Sequence, residues 1–350
     1  MRVFTTTNVD DLATIGATFA RLETTGYDGA FTFEAKHDPF VPLAVAAGTT
    51  ERMALGTAVA IAFARNPMTL ANVGYDLQVV SGGRFVLGLG SQIRPHIVNR
   101  YSSPWSRPAA RMRDLVSAIH AIWHAGETGE PLRYEGDFYR HTLMTPTFDP
   151  GPNPHGPPPV FVGGFGPRMV EITGEVADGL FVHPFNTRRS LLERTIPDLE
   201  RGLARAGRTR ADCDVIVATL VVTASSEEEF DRVRAAARGQ LAFYGSTPAY
   251  RPTLDCHGWG DLQPELNRLS KEGRWADMSS LIDDEVLEAI AVVGEPDTIA
   301  PQLVARLDGI SDAVSITHNR APDPEHWAPV VEALRRERGT GSVAPWRHTA

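Results

Sequence analysis

The chain has 350 residues, 42% hydrophobic and 22% charged, with a formal net charge of −9, which supports a large buried core and argues against a nucleic-acid partner. No basic segment followed by an apolar run opens it, and no window approaches the roughly 18 apolar residues of a membrane span, so a cytoplasmic protein without membrane attachment is expected. The two cysteines, Cys213 and Cys256, show neither metal-ligand nor disulfide-framework spacing.

Short β-rich runs alternate with segments of helical period, the pattern of βα units around a parallel sheet. Strands are expected over residues 3–5, 30–33, 53–59, 85–89, 160–162, 179–183, 215–222 and 313–317. Most are apolar throughout, as strands covered on both faces should be. The fold class is therefore α/β, a (β/α)8 TIM barrel forming one domain over 1–338, with a C-terminal tail over 339–350.

In chain order, DDLATIGATFARLETTG (10–26) opens a helix with acidic residues, repeats Leu12, Ile15, Phe19 and Leu22 on one face, and stops at Gly26. TFEAKHDPF (32–40) then brings Glu34, His37 and Asp38 to the strand-end rim where such barrels build active sites. A carboxylate beside an imidazole suits proton transfer; a solvated Asp-Pro turn is the alternative. The strand RFVLGLGSQ ends in glycine and serine, so backbone there can approach a ligand closely. It leads into GSQIRPHIVNRYSSPW (90–105), which offers Ser91, Gln92, Arg94, His96, Arg100 and finally Trp105.

RPAARMRDLVSAIHAIWHAG (107–126) admits Pro108 in a first turn, aligns Leu115, Ile119 and Ile122, and ends at Gly126. His120 and His124 have zinc-pair spacing, but no catalytic glutamate lies between them and the helix belongs to the outer ring, so no metal is expected. Two segments exceed the short loops of a minimal barrel. One is a Pro/Gly-rich arm over 134–159. The other is a helical insertion over 241–288, between strands 7 and 8, carrying Phe243, Tyr244, Tyr250, Trp259 and Trp275. The insertion is either a subunit contact or minor core, or a wall over a substrate pocket.

PPPVFVGGFGPRM (157–169) fails the dinucleotide fingerprint, because Met169 stands where the third glycine is required. What remains is a strand, a glycine turn and a helix N-terminus. That is either an anion site or only a tight barrel turn.

LGTAVAIAFARNPMTLA, LQVVSGGRFVLGLGSQ and VFVGGFGPRMVEITGEVADGLFVHP together resemble the luciferase-like oxidoreductases of α/β-barrel fold, in particular the branch that uses the deazaflavin coenzyme F420. The resemblance runs from about residue 26 to 183 and returns at VVGEPDTIAPQLVARL. It implies a deazaflavin resting on a bulge at Ala58, Val59 and Ala60, often with a non-prolyl cis peptide. Further cofactor contacts are implied at Ser91 and Gln92 and in a phosphate loop of Gly163, Gly164, Phe165, Gly166 and Pro167. The implied chemistry is hydride transfer between the deazaflavin C5 and a small organic substrate. His37 is the first candidate for the acid/base and His96 the second, with Glu34 holding the imidazole or the ring, and His183 and Trp105 as substrate contacts. Relatives that oxidise a sugar phosphate place an acid near Gln92; none stands here, so an alcohol, a ketone or an activated double bond is the expected substrate. The resemblance also implies a homodimer. Two other readings keep the barrel: an FMN-dependent monooxygenase, and a non-catalytic deazaflavin-binding protein.

Overall fold

The computed structural model describes residues 1–317 and 324–337; the tail expected over 339–350 lies outside the described residues. The eight barrel strands are β1 (Arg2–Thr7), β2 (Gly29–Thr32), β3 (Ala54–Thr57), β4 (Phe85–Gly90), β5 (Val160–Gly164), β6 (Gly179–Val182), β7 (Asp214–Val222) and β8 (Ala313–Thr317). Each runs parallel to the next, and β8 pairs with β1 to close the barrel. β2, β4 and β6 are buried along their whole length, which is why their sequences do not alternate. The third strand is shorter than expected. Its ladder stops at Thr57 and resumes at Ala60–Ile61 against Leu89 and Gly90, leaving a bulge whose Ala58–Val59 peptide is cis.

Helices α1 (Ile15–Thr25), α2 (Val41–Ala47), α3 (Pro67–Val80), α4 (Pro108–Thr128), α5 (Pro167–Val176) and α6 (Ile196–Arg205) cover the outside. α1 buries Ile15, Phe19 and Leu22 as their period requires, and Gly26 ends it at a φ of 99°. It begins later than expected. Asp11 accepts hydrogen bonds from the Ala13 N–H and the Thr14 hydroxyl, so a turn precedes the helix and Leu12 stays exposed. α4 runs past Gly126 to Gly129, whose φ of 71° caps it. Gly126 stays inside the helix, where a Cβ would face residues 149–151 at ordinary contact distance.

The 134–159 arm crosses there and is strapped to α4 by two carboxylates. Asp114 accepts from the backbone N–H groups of Phe138 (2.6 Å) and Tyr139 (3.0 Å). Glu127 accepts from the Asn153 N–H (2.9 Å) and the Tyr75 hydroxyl.

The lower lumen is plugged by Phe4, Phe31, Val86, Phe161, Phe181 and Ile216. Ring centroids there sit 5.1–5.3 Å apart, so any ligand site must lie above them. After β7, helix α7 (Glu227–Gly245) starts well before the expected insertion boundary. Ser226 caps it and Glu227, Glu228 and Glu229 fill its first turn. Short helices follow up to Ile290, building a second core around Phe185, Leu220, Leu241, Leu266 and Ile282. No helix among the described residues is long and apolar enough to cross a membrane.

Candidate active site

At the carboxyl ends of the strands, above the phenylalanine plug, opens a cleft of about 1270 Å³. Glu34, Ala58, Val59, Ser91, Gln92, Trp105, Gly163, Gly164, Phe165, Gly166 and His183 all line it. These residues, as far as 149 positions apart in sequence (34 to 183), thus converge on one space.

The floor is a shelf made by the bulge. A Cβ at Gly90 would lie 2.4 Å from Val59 Cγ2, and one at Gly163 would lie 2.9 Å from Val59 Cγ1. Gly90 at the end of β4 and Gly163, next to last in β5, thus leave bare backbone on which the Val59 side chain sits. Glu34 holds the shelf in place. Its N–H donates to the Val59 carbonyl (3.2 Å), and its carboxylate accepts from the Ile61 N–H (2.8 Å), Arg65 Nη1 (2.6 Å) and the Tyr101 hydroxyl (2.8 Å). Burial and the Glu34 charge push the Tyr101 pKa up, so its hydroxyl stays a donor. Arg65 bridges on to Asp38 at 2.8 Å. With both oxygens engaged, Glu34 is a buttress beneath a ligand rather than a group free to exchange a proton.

The rim beside β4 and β5 is polar. Gln92 takes a left-handed φ of 55°, and its side-chain oxygen accepts from the Ile93 N–H at 2.9 Å. Arg94 on this rim is exposed and has no hydrogen-bond or ion-pair partner among the described residues. Gly166 begins α5 with no side-chain cap, and a Cβ added there would meet nothing within 4 Å. Pro167 carries no N–H and the Met169 N–H turns back to the Gly166 carbonyl at 3.0 Å, so what faces outward is the positive end of the α5 dipole and the Arg168 N–H, with the Arg168 side chain exposed and unpaired among the described residues.

The opposite wall is aromatic. Phe165 follows β5, His183 follows β6, and Tyr244 and Tyr250 come from the insertion. The His183 ring centroid lies 4.5 Å from that of Tyr250 and 4.7 Å from that of Tyr244, while Phe165 meets Tyr250 at 4.5 Å. The Phe185 N–H donates to His183 Nδ1 at 3.1 Å, which fixes the ring proton on Nε2 when the imidazole is neutral. Burial pushes the His183 pKa down to about 3, so neutral is its state at ordinary pH. Of the expected insertion aromatics, Tyr244 and Tyr250 wall the cleft, Trp259 stacks on His257 at 4.4 Å, and Phe243 and Trp275 are exposed. The arm over 134–159 contributes nothing to the cleft wall.

Other sequence candidates fall elsewhere. His37 is half-buried and His96 exposed, and neither lines the cleft. Ala60 is buried against Leu89 behind the shelf, and Pro167 is the first residue of α5. Among the described residues no group of three or more His, Cys, Asp or Glu side chains could hold a metal ion. The sequence reading missed Arg65 and Tyr101. Arg65 stands out only as a charge inside the apolar run AVAIAFARNP, and nothing local ties Tyr101 to Glu34.

Comparison with known proteins bears on this arrangement. The profile of the luciferase-like monooxygenase family matches residues 1–312. An uncharacterized protein of Mycobacterium tuberculosis is 54% identical over 293 residues, covering 84% of this chain and 86% of that protein. The F420-dependent glucose-6-phosphate dehydrogenase of Intrasporangium calvum is 29% identical over 304 residues, covering 82% and 83%. In fold, the coenzyme F420-dependent tetrahydromethanopterin reductase of Methanopyrus kandleri superposes with a TM-score of 0.77 at 22% identity, covering 94% of this chain and 96% of that one.

Proposed function

The chain belongs to the luciferase-like monooxygenase family, and we propose that within it this protein is an F420-dependent oxidoreductase that exchanges a hydride with a small organic substrate. The observation that carries the reading is the Val59 shelf, seated on Gly90 and Gly163 and facing an aromatic wall across the cleft. A flat ring system can lie on such a shelf, and the relative named as F420-dependent supports a deazaflavin in that place. The residues fit the rest of that cofactor. The uncapped start of α5 at Gly166, with Arg168 and Arg94 free of ion pairs among the described residues, suits a phosphate-bearing tail.

The bound deazaflavin supplies a carbon that gives or takes a hydride. The chain's own residues do the remainder. Val59 supports one face of the ring and leaves the other open to the cleft. Glu34, through Ile61 and Arg65, keeps the shelf at a fixed height. Ser91 and Gln92 present polar groups at the ring's edge. The insertion supplies Tyr244 and Tyr250, which exclude water from the far side. His183 holds its proton at Nε2 and can donate it in a hydrogen bond to a substrate oxygen. Because His37 and His96 do not line the cleft, His183 takes the donor role in this reading.

The test is anaerobic turnover. Reduced F420 should be oxidised, with its absorbance returning, when the protein meets simple ketones or enones. Turnover only with reduced FMN and oxygen would assign the monooxygenase reading instead, and F420 binding without turnover of any alcohol, ketone or enone would leave a carrier.

A further inference from the structure

The cleft is divided electrostatically. Its charged lining residues, Asp10, Asp11, Glu34 and Arg94, all come from segments following β1, β2 and β4. The half built by Phe165, the ends of β6 to β8 and the insertion lines the cleft with no charged side chain. Its surface there is Phe165, His183, Tyr244 and Tyr250, with ring centroids 4.5–4.7 Å apart in the contacts that join them. Rings that close form a continuous face rather than a cage around a gap, so they suit a flat apolar ligand better than an enclosed cation. An anion on that face would be desolvated with no cation to meet it.

Gln240, Ser315 and Thr317 also line this half, but among the rings that form its aromatic surface the polar feature is His183. His183 Nδ1 is occupied by the Phe185 N–H, so Nε2–H is the ring's only remaining hydrogen-bonding group, and it has no protein partner among the described residues. The Tyr250 hydroxyl, on the ring packed 4.5 Å from His183, also lacks one among the described residues. Burial pushes the Tyr250 pKa up to about 12, which keeps that hydroxyl a donor as well. An apolar face bearing donors selects an uncharged ring that carries an acceptor.

We propose that this half of the cleft is a substrate subsite for a flat, uncharged, carbonyl-bearing ring compound, whose oxygen accepts a hydrogen bond from His183 Nε2–H. The assignment rests on the reading that the Val59 side of the cleft is kept for the cofactor. It deepens that reading by naming the substrate class, and it sets sugar phosphates and carboxylates aside on the charge of the wall itself.

The experiment titrates the full chain, with and without saturating oxidised F420, against four probes: 1-tetralone, tetralin, 1-naphthoate and benzyltrimethylammonium, followed by calorimetry. The tetralone should bind about tenfold more tightly than tetralin, the margin of one buried hydrogen bond, and more tightly than either ion. His183→Leu should bring tetralone down to the tetralin level while leaving tetralin unchanged. Tyr250→Ala, which thins the wall from the surface side, should weaken both neutral probes together. This second variant keeps the test alive if His183→Leu melts early. The tetralone preference in either cofactor state supports the proposal. Its absence in both states, or an ion binding as tightly, overturns it. F420 affinity is read separately: normal F420 binding without the tetralone preference refutes the subsite alone, and the preference without F420 binding refutes only the cofactor reading.

Discussion

Removing the Glu34 carboxylate should cost both stability and cofactor binding. In Glu34→Ala three donors lose their acceptor: the Ile61 N–H, Arg65 Nη1 and the Tyr101 hydroxyl. The Glu34 side chain is 6% exposed and that of Arg65 19%, so water re-solvates the abandoned guanidinium only in part. Breaking a fully buried pair costs about 3–5 kcal/mol, and Arg65 keeps Asp38, so a loss of about 2–3 kcal/mol is expected in urea unfolding. The companion Asp38→Ala removes a partner whose side chain is 45% exposed and should cost under about 1 kcal/mol. A cycle with Arg65→Ala should show that the two buried members act as a unit. Because Glu34 fixes Ile61 just beyond the bulge, F420 affinity should fall in Glu34→Ala and stay near wild type in Asp38→Ala. If Glu34→Ala costs no more than Asp38→Ala, or leaves F420 affinity intact, the buttress account is wrong.

Four further outcomes are expected. Gly90→Ala drives a Cβ into Val59 Cγ2, so F420 affinity should drop, and adding Val59→Ala should restore much of it; no rescue in the double variant would break the link between glycine and shelf. Gly166→Asp places a good helix cap in open space, so the melting temperature should hold or rise while F420 affinity falls, and unchanged affinity would remove the phosphate from α5. His183 is held neutral, with its pKa down at about 3 against 6.5 when free, so below pH 6.5 the unfolded chain binds a proton the native chain does not. The stability present above pH 6.5 is lost as pH falls toward 3, and His183→Leu should flatten that loss in acid-range denaturation curves; parallel curves would refute the burial argument. Finally, Val41, Val45, Val79 and Val80 expose apolar surface on α2 and α3, and we propose that the expected homodimer pairs there; sedimentation should give a dimer mass that Val80→Glu converts to monomer.

The barrel was legible because most strands are short apolar runs bounded by glycine or charge, and burial on both faces makes such runs continuous. Boundaries failed where a tertiary contact overrode a local signal. Gly126 looks like a helix stop, yet the helix continues through it beneath the arm, and the stop falls at Gly129, whose φ of 71° is the left-handed one. For the site, the glycines of GLGSQ could be read as a close approach and those of VGGFG as an anion site or a tight turn, but not as the seat of a side chain from the third strand. Val59 lies 31 residues from Gly90 and 104 from Gly163, and no local pattern spans such distances. The same holds for the Glu34, Arg65 and Tyr101 network, whose members were visible only as unrelated polar residues. His37 and His96 drew attention by chemical type, since histidine titrates near neutrality. His183, at the end of an apolar strand, is the one the fold turns toward the cleft.

The central claim is that the Val59 shelf and the α5 N-terminus together seat a deazaflavin with a phosphate tail. Fluorescence titration of the purified chain with F420 and, separately, with FMN tests it most directly. Tighter binding of F420, weakened by both Gly90→Ala and Gly166→Asp, is the predicted result. Equal or tighter binding of FMN, or F420 binding indifferent to both substitutions, would contradict it.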